Sequence, residues 1–312
     1  MTADTNISLD TLIEGRRRGA CYGYIAHIAT EQYNALVDTL VSERNARKQR
    51  EIMDIFRRCN CDWTETLHVV LFRFLGGKHN RTASERLASI VTNHIIMREN
   101  SSLANIEALL FGASGLLDIY NADDYISHLK QEFSHLSLKY SITPMSHEEW
   151  HFSGMYYNNH PALRLAQIAA CLHENKISVQ SITSCATRRD VYDLFSGRAT
   201  QYWMQQVLPY SNVHSIAPRI GSVKSDILGI NLVAPLMYAY GSYTESQKLI
   251  SRAIALLRNI PAEDNRYTRQ WNRSITTAVE SQALIQLSTE YCDRTRCHEC
   301  PLAKLILYND QR

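Results

Sequence analysis

Three cysteines near the C-terminus stand at a spacing suited to holding a metal. Cys292, Cys297 and Cys300 form a C-x4-C-x2-C pattern that Pro301 ends. Thiolates are the ligands that zinc and iron–sulfur centres use, and a CxxC turn directs two sulfurs towards one point. A closed site needs four ligands, so the pattern predicts a zinc or iron–sulfur site that lacks one ligand here. His298 or a cysteine from elsewhere is a candidate for that ligand; the alternative is a turn packed as reduced thiols.

A second pattern that suits zinc lies near the middle of the chain. His147, Glu148 and His151 match HExxH, in which a helix presents two imidazoles on one face and a glutamate activates metal-bound water. Pro144 before the pattern and Gly154 after it indicate a loop instead of that helix. The pattern therefore supplies a second hypothesis, a metal-dependent hydrolase with Glu148 as its catalytic residue.

A long polar helix is predicted over residues 31–58, and its middle is basic. Arg44, Arg47 and Lys48 are placed to follow the phosphates of a nucleic acid, each contact adding salt-sensitive affinity. Acidic residues are interleaved with them, so a solvated helix with i,i+4 ion pairs explains the same pattern. Both interpretations stay open.

A turn at residues 218–228 predicts a further phosphate contact through Arg219, Gly221 and Lys224. It resembles the hairpin of helix–hairpin–helix DNA-binding modules, whose Gly-x-Gly turn brings backbone amides close to a phosphate. Gly221 is the second glycine of that pattern, and Arg219 replaces the first. A tight turn that opens a packed helix is the alternative.

Two ionisable residues are predicted inside the fold. Glu107 lies among apolar residues of one helix, and Arg164 with Gln167 forms a polar edge on the helix after Pro161. Ionised groups beside apolar stripes are usually paired when they are buried. We therefore expect a buried ion pair of Glu107 and Arg164, with a catalytic carboxylate as the alternative.

Helical periodicity dominates the sequence, and no strand with period-two alternation is found. Capping residues and helix-stop residues predict five of the helices. They are Trp63–Leu75 with N-cap Asp62 and stop Gly76, a helix after Asp123, a helix from Pro161, a helix from a Thr244/Gln247 capping box to Pro261, and Ser274–Tyr291. The expected architecture is an all-α bundle of about ten or more helices. We expect a flexible N-terminus at 1–20, an N-terminal helical subdomain at 21–142 and a C-terminal helical subdomain at 143–312 that ends in the cysteine turn.

Composition places the chain among ordinary globular proteins. It has 312 residues, of which 45% are hydrophobic and 21% charged, and its net charge of +2 is too small to indicate a polyanion partner by itself. No stretch is long and apolar enough for a membrane helix, and the N-terminus lacks the layout of a secretory signal. We therefore expect a cytoplasmic protein without membrane contact, with its eight cysteines reduced.

Several stretches together resemble the bacterial domain-of-unknown-function family 2851, found mainly in Bacteroidetes. They are CDWTET at 61–66, IEALLFGASGLL at 106–117, NNHPALRLAQIA at 158–169, INLVAPLMYAYG at 230–241 and SQAL at 281–284. The resemblance implies no established activity. It also implies that longer members carry an extra, nuclease-like N-terminal segment. We expect this chain to correspond to the part that follows that segment.

The cysteine turn is also similar to the end of the iron–sulfur loop in endonuclease III-type helix–hairpin–helix DNA glycosylases. Here the first gap has four residues instead of six, and Leu305 and Ile306 stand near the position of the closing cysteine. The glycosylase lysine or aspartate pattern is not found. This resemblance implies a DNA-repair-like iron–sulfur scaffold without glycosylase activity.

We expect a helical scaffold that binds nucleic acid or a protein partner without autonomous catalysis. The metal-dependent hydrolase and the DNA-repair-like iron–sulfur protein remain the alternatives, together with a structural or regulatory subunit.

Overall fold

A computed structural model describes residues 20–153, 159–206 and 218–310, together with residues 10, 13 and 14. Most of the predicted flexible N-terminus therefore lies outside the described residues. Within them no β-strand occurs, and one isolated bridge joins Pro261 to Thr277. The prediction of an all-α fold with about ten or more helices is confirmed. None of the described helices is long and apolar enough to cross a membrane.

The α-helices follow one another along the whole described chain. They are α1 (Ala20–His27), α2 (Thr30–Arg58), α3 (Trp63–Leu75), α4 (Arg81–Ile90), α5 (Asn93–Glu99), α6 (Leu103–Ala113), α7 (Asp124–Tyr140), α8 (Pro161–His173), α9 (Val179–Ser184), α10 (Arg188–Leu194), α11 (Gln201–Gln206), α12 (Ser222–Leu228), α13 (Ala234–Tyr243), α14 (Gln247–Asn259), α15 (Arg266–Arg269), α16 (Ala278–Gln286) and α17 (Pro301–Asp310). Short 3-10 helices lie at Leu116–Ile119 and His147–Glu149, and π-helical segments at Gly229–Val233 and Leu287–Cys292.

The chain divides into two compact units. Unit 1 consists of residues 1–50 and 254–312, and unit 2 of residues 51–253. This division differs from the predicted boundary between residues 142 and 143. Unit 1 combines the two ends of the chain, a pairing that depends on long-range contacts and leaves no local sign in the sequence.

The centre of unit 2 is helix α8, whose side chains are nearly all buried. It begins at Pro161, as predicted, because proline lacks the amide hydrogen that the first helical position leaves unpaired. Helix α8 packs against α6 and α11, and α6 packs against α7. Helices α6 and α7 approach closely at Gly112, where a Cβ atom would lie 2.1 Å from Cγ of Phe133.

The predicted caps of α3 and α7 are confirmed. The side chain of Asp62 accepts hydrogen bonds from the backbone N–H groups of Thr64 at 2.7 Å and Glu65 at 3.2 Å. The side chain of Asp123 accepts one from Ile126 at 2.8 Å. These contacts satisfy amides that a helix cannot pair internally, so both helices begin where the sequence indicates.

Two other predicted boundaries are wrong. Thr244 ends α13 instead of capping α14, and its hydroxyl donates to the carbonyl of Tyr240 at 2.9 Å. Helix α16 begins at Ala278 instead of Ser274, because Thr277 and Glu280 form the capping box there. The helix then continues as a π-helical segment that ends at Cys292.

Unit 1 has its own buried core. Helix α1 packs against α17, and α15 packs against α16. The indole N–H of buried Trp271 donates to Oγ of Ser288 at 3.1 Å, so its polar atom is satisfied inside the core. This packing brings the start of the described chain next to the segment that follows the cysteine turn.

Candidate functional site

The three cysteines of the turn line one small cavity in unit 1 together with a fourth, Cys21. Cys21 belongs to α1, Cys292 ends the π-helical segment, and Cys297 and Cys300 lie between that segment and α17. All four carry thiols and none forms a disulfide. Sequence analysis assigned no role to Cys21; the one indication was the need for a fourth ligand, for which a cysteine from elsewhere was a candidate.

Backbone hydrogen bonds shape the cysteine turn. The amide of Cys300 donates to the carbonyl of Cys297 at 3.2 Å, which closes the CxxC segment. The Cys300 sulfur accepts from the amides of Leu302 and Ala303, the first turn of α17. Burial raises the pKa of Cys300, and these amides oppose the rise. Burial also raises the pKa of Cys21 to about 11, with the nearby Cys300 and Cys297 thiols adding to the effect.

His298, the other candidate ligand, does not line the cavity. It is exposed, and its Nε2 lies 3.1 Å from Oε1 of Glu299. Among the described residues, no group of three or more His, Cys, Asp or Glu side chains is arranged to hold a metal ion. The four cysteines share the lining of one cavity, but they are not arranged as a ready site for a metal ion.

The HExxH residues do not share a helical face. His147–Glu149 is a single 3-10 turn, and His151 lies beyond it with its ring stacked on His79 at a centroid distance of 5.1 Å. This agrees with the predicted loop. The hydrolase hypothesis, with Glu148 as catalytic residue, therefore lacks the helix that would aim both imidazoles at one zinc ion.

The basic stretch of α2 faces the interior of unit 1. Arg44 is only 2% exposed, and its Nε donates to Oε1 of Gln282 at 2.9 Å. Nη2 of Arg47 donates to Oε1 of Gln286 at 2.9 Å, and Lys48 is half-buried. The prediction that Arg44 follows a phosphate backbone is wrong because its guanidinium is used inside the core. Arg47 also bonds to a side chain of unit 1, and the phosphate contact of Lys48 stays a prediction.

The other predicted nucleic-acid contacts lie at a cavity of about 330 Å³ in unit 2, which we call the cationic pocket. Its polar lining residues are Asn159, Arg164, Gln167, Arg219, Ser222 and Lys224. Gly221 lies at its exposed rim, with φ −69° and open space where a Cβ atom would stand. The backbone of this turn therefore does not require glycine, and the pocket is formed by side chains.

Arg164 is buried in the cationic pocket, and no carboxylate of the described part of the chain pairs with it. Its Nη1 donates to Oε1 of Gln167 and its Nη2 to Oδ1 of Asn159, both at 2.9 Å. Its Nε has no hydrogen-bond partner among the described residues. Burial lowers its pKa to about 10, with no acid opposing the change.

Glu107 does not pair with Arg164, so the predicted ion pair is wrong. The Glu107 carboxylate accepts hydrogen bonds from the hydroxyl of Tyr125 and, at 3.2 Å, from that of Thr200. Its side chain is fully buried, and burial raises its pKa to about 7. Neutral hydroxyls satisfy this group locally, which sequence periodicity cannot distinguish from pairing with an arginine.

Lys224 is the second cation of the cationic pocket. Its Nζ donates to the carbonyl of Phe74 at 3.0 Å. Burial lowers its pKa to about 8, and repulsion from Arg164 adds to the effect. The nearest acid in sequence, Asp226, is already paired with Arg188 at 2.7 Å.

The two stretches of sequence next to these elements that lie outside the described part contain no acid that could pair with Arg164 or Lys224. Residues 154–158 and 207–217, which lie outside the described part, contain no aspartate or glutamate. Two cations therefore face one pocket with no carboxylate partner among the described residues. Sequence analysis selected Lys224 and Arg219 but missed Arg164, Asn159 and Gln167, although the polar edge on α8 was the signal.

The family described as "Protein of unknown function (DUF2851)" matches residues 2–266 of the chain. The matched range includes Cys21 and all residues of the cationic pocket, and it ends before the cysteine turn. No curated protein and no solved structure matches the chain. The similarity to DNA glycosylases stays a prediction.

Proposed function

Because the chain belongs to the DUF2851 family, whose description assigns no function, we propose from its geometry that it is a nucleic-acid-binding protein. In this proposal the cationic pocket holds one phosphate of the backbone, and the protein acts by binding, without catalysis. The observation that carries the proposal is a pair of cations, the buried Arg164 and the half-buried Lys224, without a carboxylate partner among the described residues.

Burying unpaired charges is costly. The effective penalty for moving an ion into a protein interior is on the order of several kcal/mol, unless an opposite charge compensates it. The lowered pKa values of Arg164 and Lys224 express that penalty as easier loss of a proton. A bound anion would reverse both shifts, so the free energy of binding would include relief of this penalty.

The donors in the pocket match the chemistry of a phosphate. A guanidinium presents a planar fork of N–H groups that suits phosphate oxygens, and an ammonium adds a point charge. Asn159 and Gln167 hold the two terminal nitrogens of Arg164, which leaves its Nε as a donor without a partner. Gln167 also donates through Nε2 to the carbonyl of Arg219 at 3.2 Å, which fixes the rim of the pocket.

The exposed rim favours a strand over a free ion. Arg219, Gly221 and Ser222 are exposed at the rim of the cationic pocket, and Val223 is 73% exposed. A strand that places one phosphate inside can continue over this rim, where Arg219 offers a further cation and Val223 an apolar surface. Phosphate contacts of this kind fix a nucleic acid without reading its sequence.

Fluorescence anisotropy of a labelled single-stranded oligonucleotide tests the proposal over a series of salt concentrations. Replacing Lys224 by Met removes one charge-assisted contact, so the dissociation constant should rise roughly tenfold or more. The plot of log affinity against log salt should lose about 0.7 from its slope for the lost phosphate contact. Arg164→Lys, which keeps the charge but not the fork, should bind more weakly than the wild type and more tightly than Arg164→Met.

Lys248→Met is the matched control, because Lys248 is an exposed lysine of α14 outside the pocket lining. It removes the same charge from the whole chain and should leave both affinity and slope nearly unchanged. Equal binding by wild type and Lys224→Met, or no binding by the wild type even at low salt, would refute the proposal.

A further inference from the structure

Unit 1 contains a second group of residues whose chemistry is incomplete by itself. Cys21, Cys292, Cys297 and Cys300 line one cavity whose remaining walls are side chains such as Trp271 and Leu287. We propose that the four cysteines hold an iron–sulfur cluster, with Cys21 as the fourth ligand. The proposal is independent of the cationic pocket, since every residue involved belongs to unit 1.

The convergence of these cysteines is specific. They come from α1, from the end of a π-helical segment and from the turn before α17, yet all four reach the same cavity. Four ionised thiols would repel one another in a poorly solvated space, and a metal centre is what neutralises such a set and holds it deprotonated. On ligation each thiol would release its proton to solvent, with iron and sulfide supplied from outside.

The spacing of the cysteines in the sequence favours a cluster over a zinc ion. Tetrahedral zinc lies about 2.3 Å from each sulfur, which requires the four sulfurs to sit within roughly 4 Å of one another. No group of side chains among the described residues is arranged to hold a metal ion. A cluster distributes its cysteine ligands over more than one iron, so it does not require four sulfurs to meet at one ion, and C-x4-C-x2-C is a spacing that iron–sulfur proteins use.

The surroundings of the sulfurs also fit a cluster. The amides of Leu302 and Ala303 point to the Cys300 sulfur from the N-terminus of the ten-residue helix α17. Hydrogen bonds to cysteine sulfur and the positive end of a helix both stabilise a negatively charged centre. Trp271 and Leu287 are almost fully buried and limit the access of water.

The test begins with the wild-type protein, incubated without oxygen with ferrous and ferric iron and sulfide, so that the iron supplies both oxidation states of a cluster, and then desalted. Bound iron and acid-labile sulfide per chain are measured together with the visible absorption spectrum. We expect both elements in near-stoichiometric amounts and a brown protein. Cys21→Ser and, separately, Cys297→Ser should lose most of the iron and the colour, whereas Cys61→Ser should retain them because Cys61 is an exposed cysteine of unit 2.

Helix content by circular dichroism accompanies each variant, and the wild-type measurement does not depend on any variant being folded. Wild type without iron after this treatment, or with zinc alone after purification and reconstitution, would overturn the proposal. Full iron retention in folded Cys21→Ser, alongside its loss in Cys297→Ser, would overturn the assignment of Cys21.

Discussion

Among the described residues each unit contains one buried arginine, and the two arginines have different surroundings. In unit 1, Arg44 bonds to Gln282, and the amide of Gln282 donates in turn to the carboxylate of Glu263 at 2.9 Å. In unit 2, Arg164 bonds to Gln167 and Asn159, and no carboxylate follows among the described residues. One network ends in a negative charge, and the other ends at the cationic pocket.

The difference separates a structural role from a binding role. A buried charge that is linked to an opposite charge stabilises the fold once the desolvation cost is met. A buried charge without that partner keeps a free energy that a ligand of opposite sign can recover. By this criterion Arg44 is part of the core of unit 1, whereas Arg164 with Lys224 is available to an anion.

The largest expected effect is on stability, and it distinguishes the two arginines. Arg44→Met should lower the free energy of unfolding by about 3 kcal/mol, because it breaks the buried network and leaves its partners unpaired. Arg164→Met should change it by less than about 1 kcal/mol, since it also removes an unpaired charge. Urea unfolding of both variants measures this. Equal losses in the two variants would contradict the distinction.

Glu107 extends the comparison, because it is a buried acid of unit 2 whose partners among the described residues are neutral side chains. The folded protein binds the proton of the Glu107 carboxyl more tightly than the unfolded chain does, because burial raises its pKa from an ordinary 4.5 to about 7. Stability should therefore fall by about 3 kcal/mol as pH rises from about 4.5 to 7. Glu107→Gln should remove this part of the pH dependence in urea unfolding, whereas exposed Glu148→Gln should retain it. An unchanged profile in Glu107→Gln would argue against a buried acid.

Lys224 predicts a smaller effect, on the pH dependence of binding. Its pKa of about 8 lies below the ordinary 10.5, so the free protein loses this charge as pH rises through 8. Oligonucleotide affinity should therefore be steady below about pH 7 and fall roughly tenfold by about pH 9. Lys224→Arg should bind with a flatter profile, because arginine stays protonated. A fall of the same size in both proteins would assign the titration to another group.

The smallest expected effect concerns Gly221. Its φ of −69° and the open space around it accommodate a Cβ atom, so Gly221→Ala should change oligonucleotide affinity by less than about 0.5 kcal/mol. Anisotropy titrations of the two proteins provide the comparison. A large loss would instead favour the helix–hairpin–helix interpretation, in which the glycine backbone approaches a phosphate.

Local signals in the sequence predicted local structure well. Asp62 and Asp123 cap their helices and Pro161 begins α8, because each of these effects depends on neighbours within one turn. Thr244 failed because a threonine can also end the preceding helix, and only the observed Tyr240 contact decides between the two.

The composition of both sites depended on distant residues and was therefore beyond local patterns. Cys21 is near the other end of the chain from the cysteine turn, and nothing in its own surroundings distinguishes it from four other cysteines outside the turn. The partners of Glu107 and Arg164 depend on which helices pack together. The burial of both side chains was therefore predicted correctly, whereas the ion pair between them was wrong.

The most direct test of the central claim is the stabilisation of the protein by inorganic phosphate at constant ionic strength. Urea unfolding is measured for wild type and Arg164→Met with phosphate replacing chloride at matched pH. The wild type should gain about 1.4 kcal/mol when phosphate is roughly tenfold above its dissociation constant, and Arg164→Met should gain almost nothing. An equal gain in both proteins, or none in the wild type, would contradict the view that Arg164 and Lys224 form an anion site.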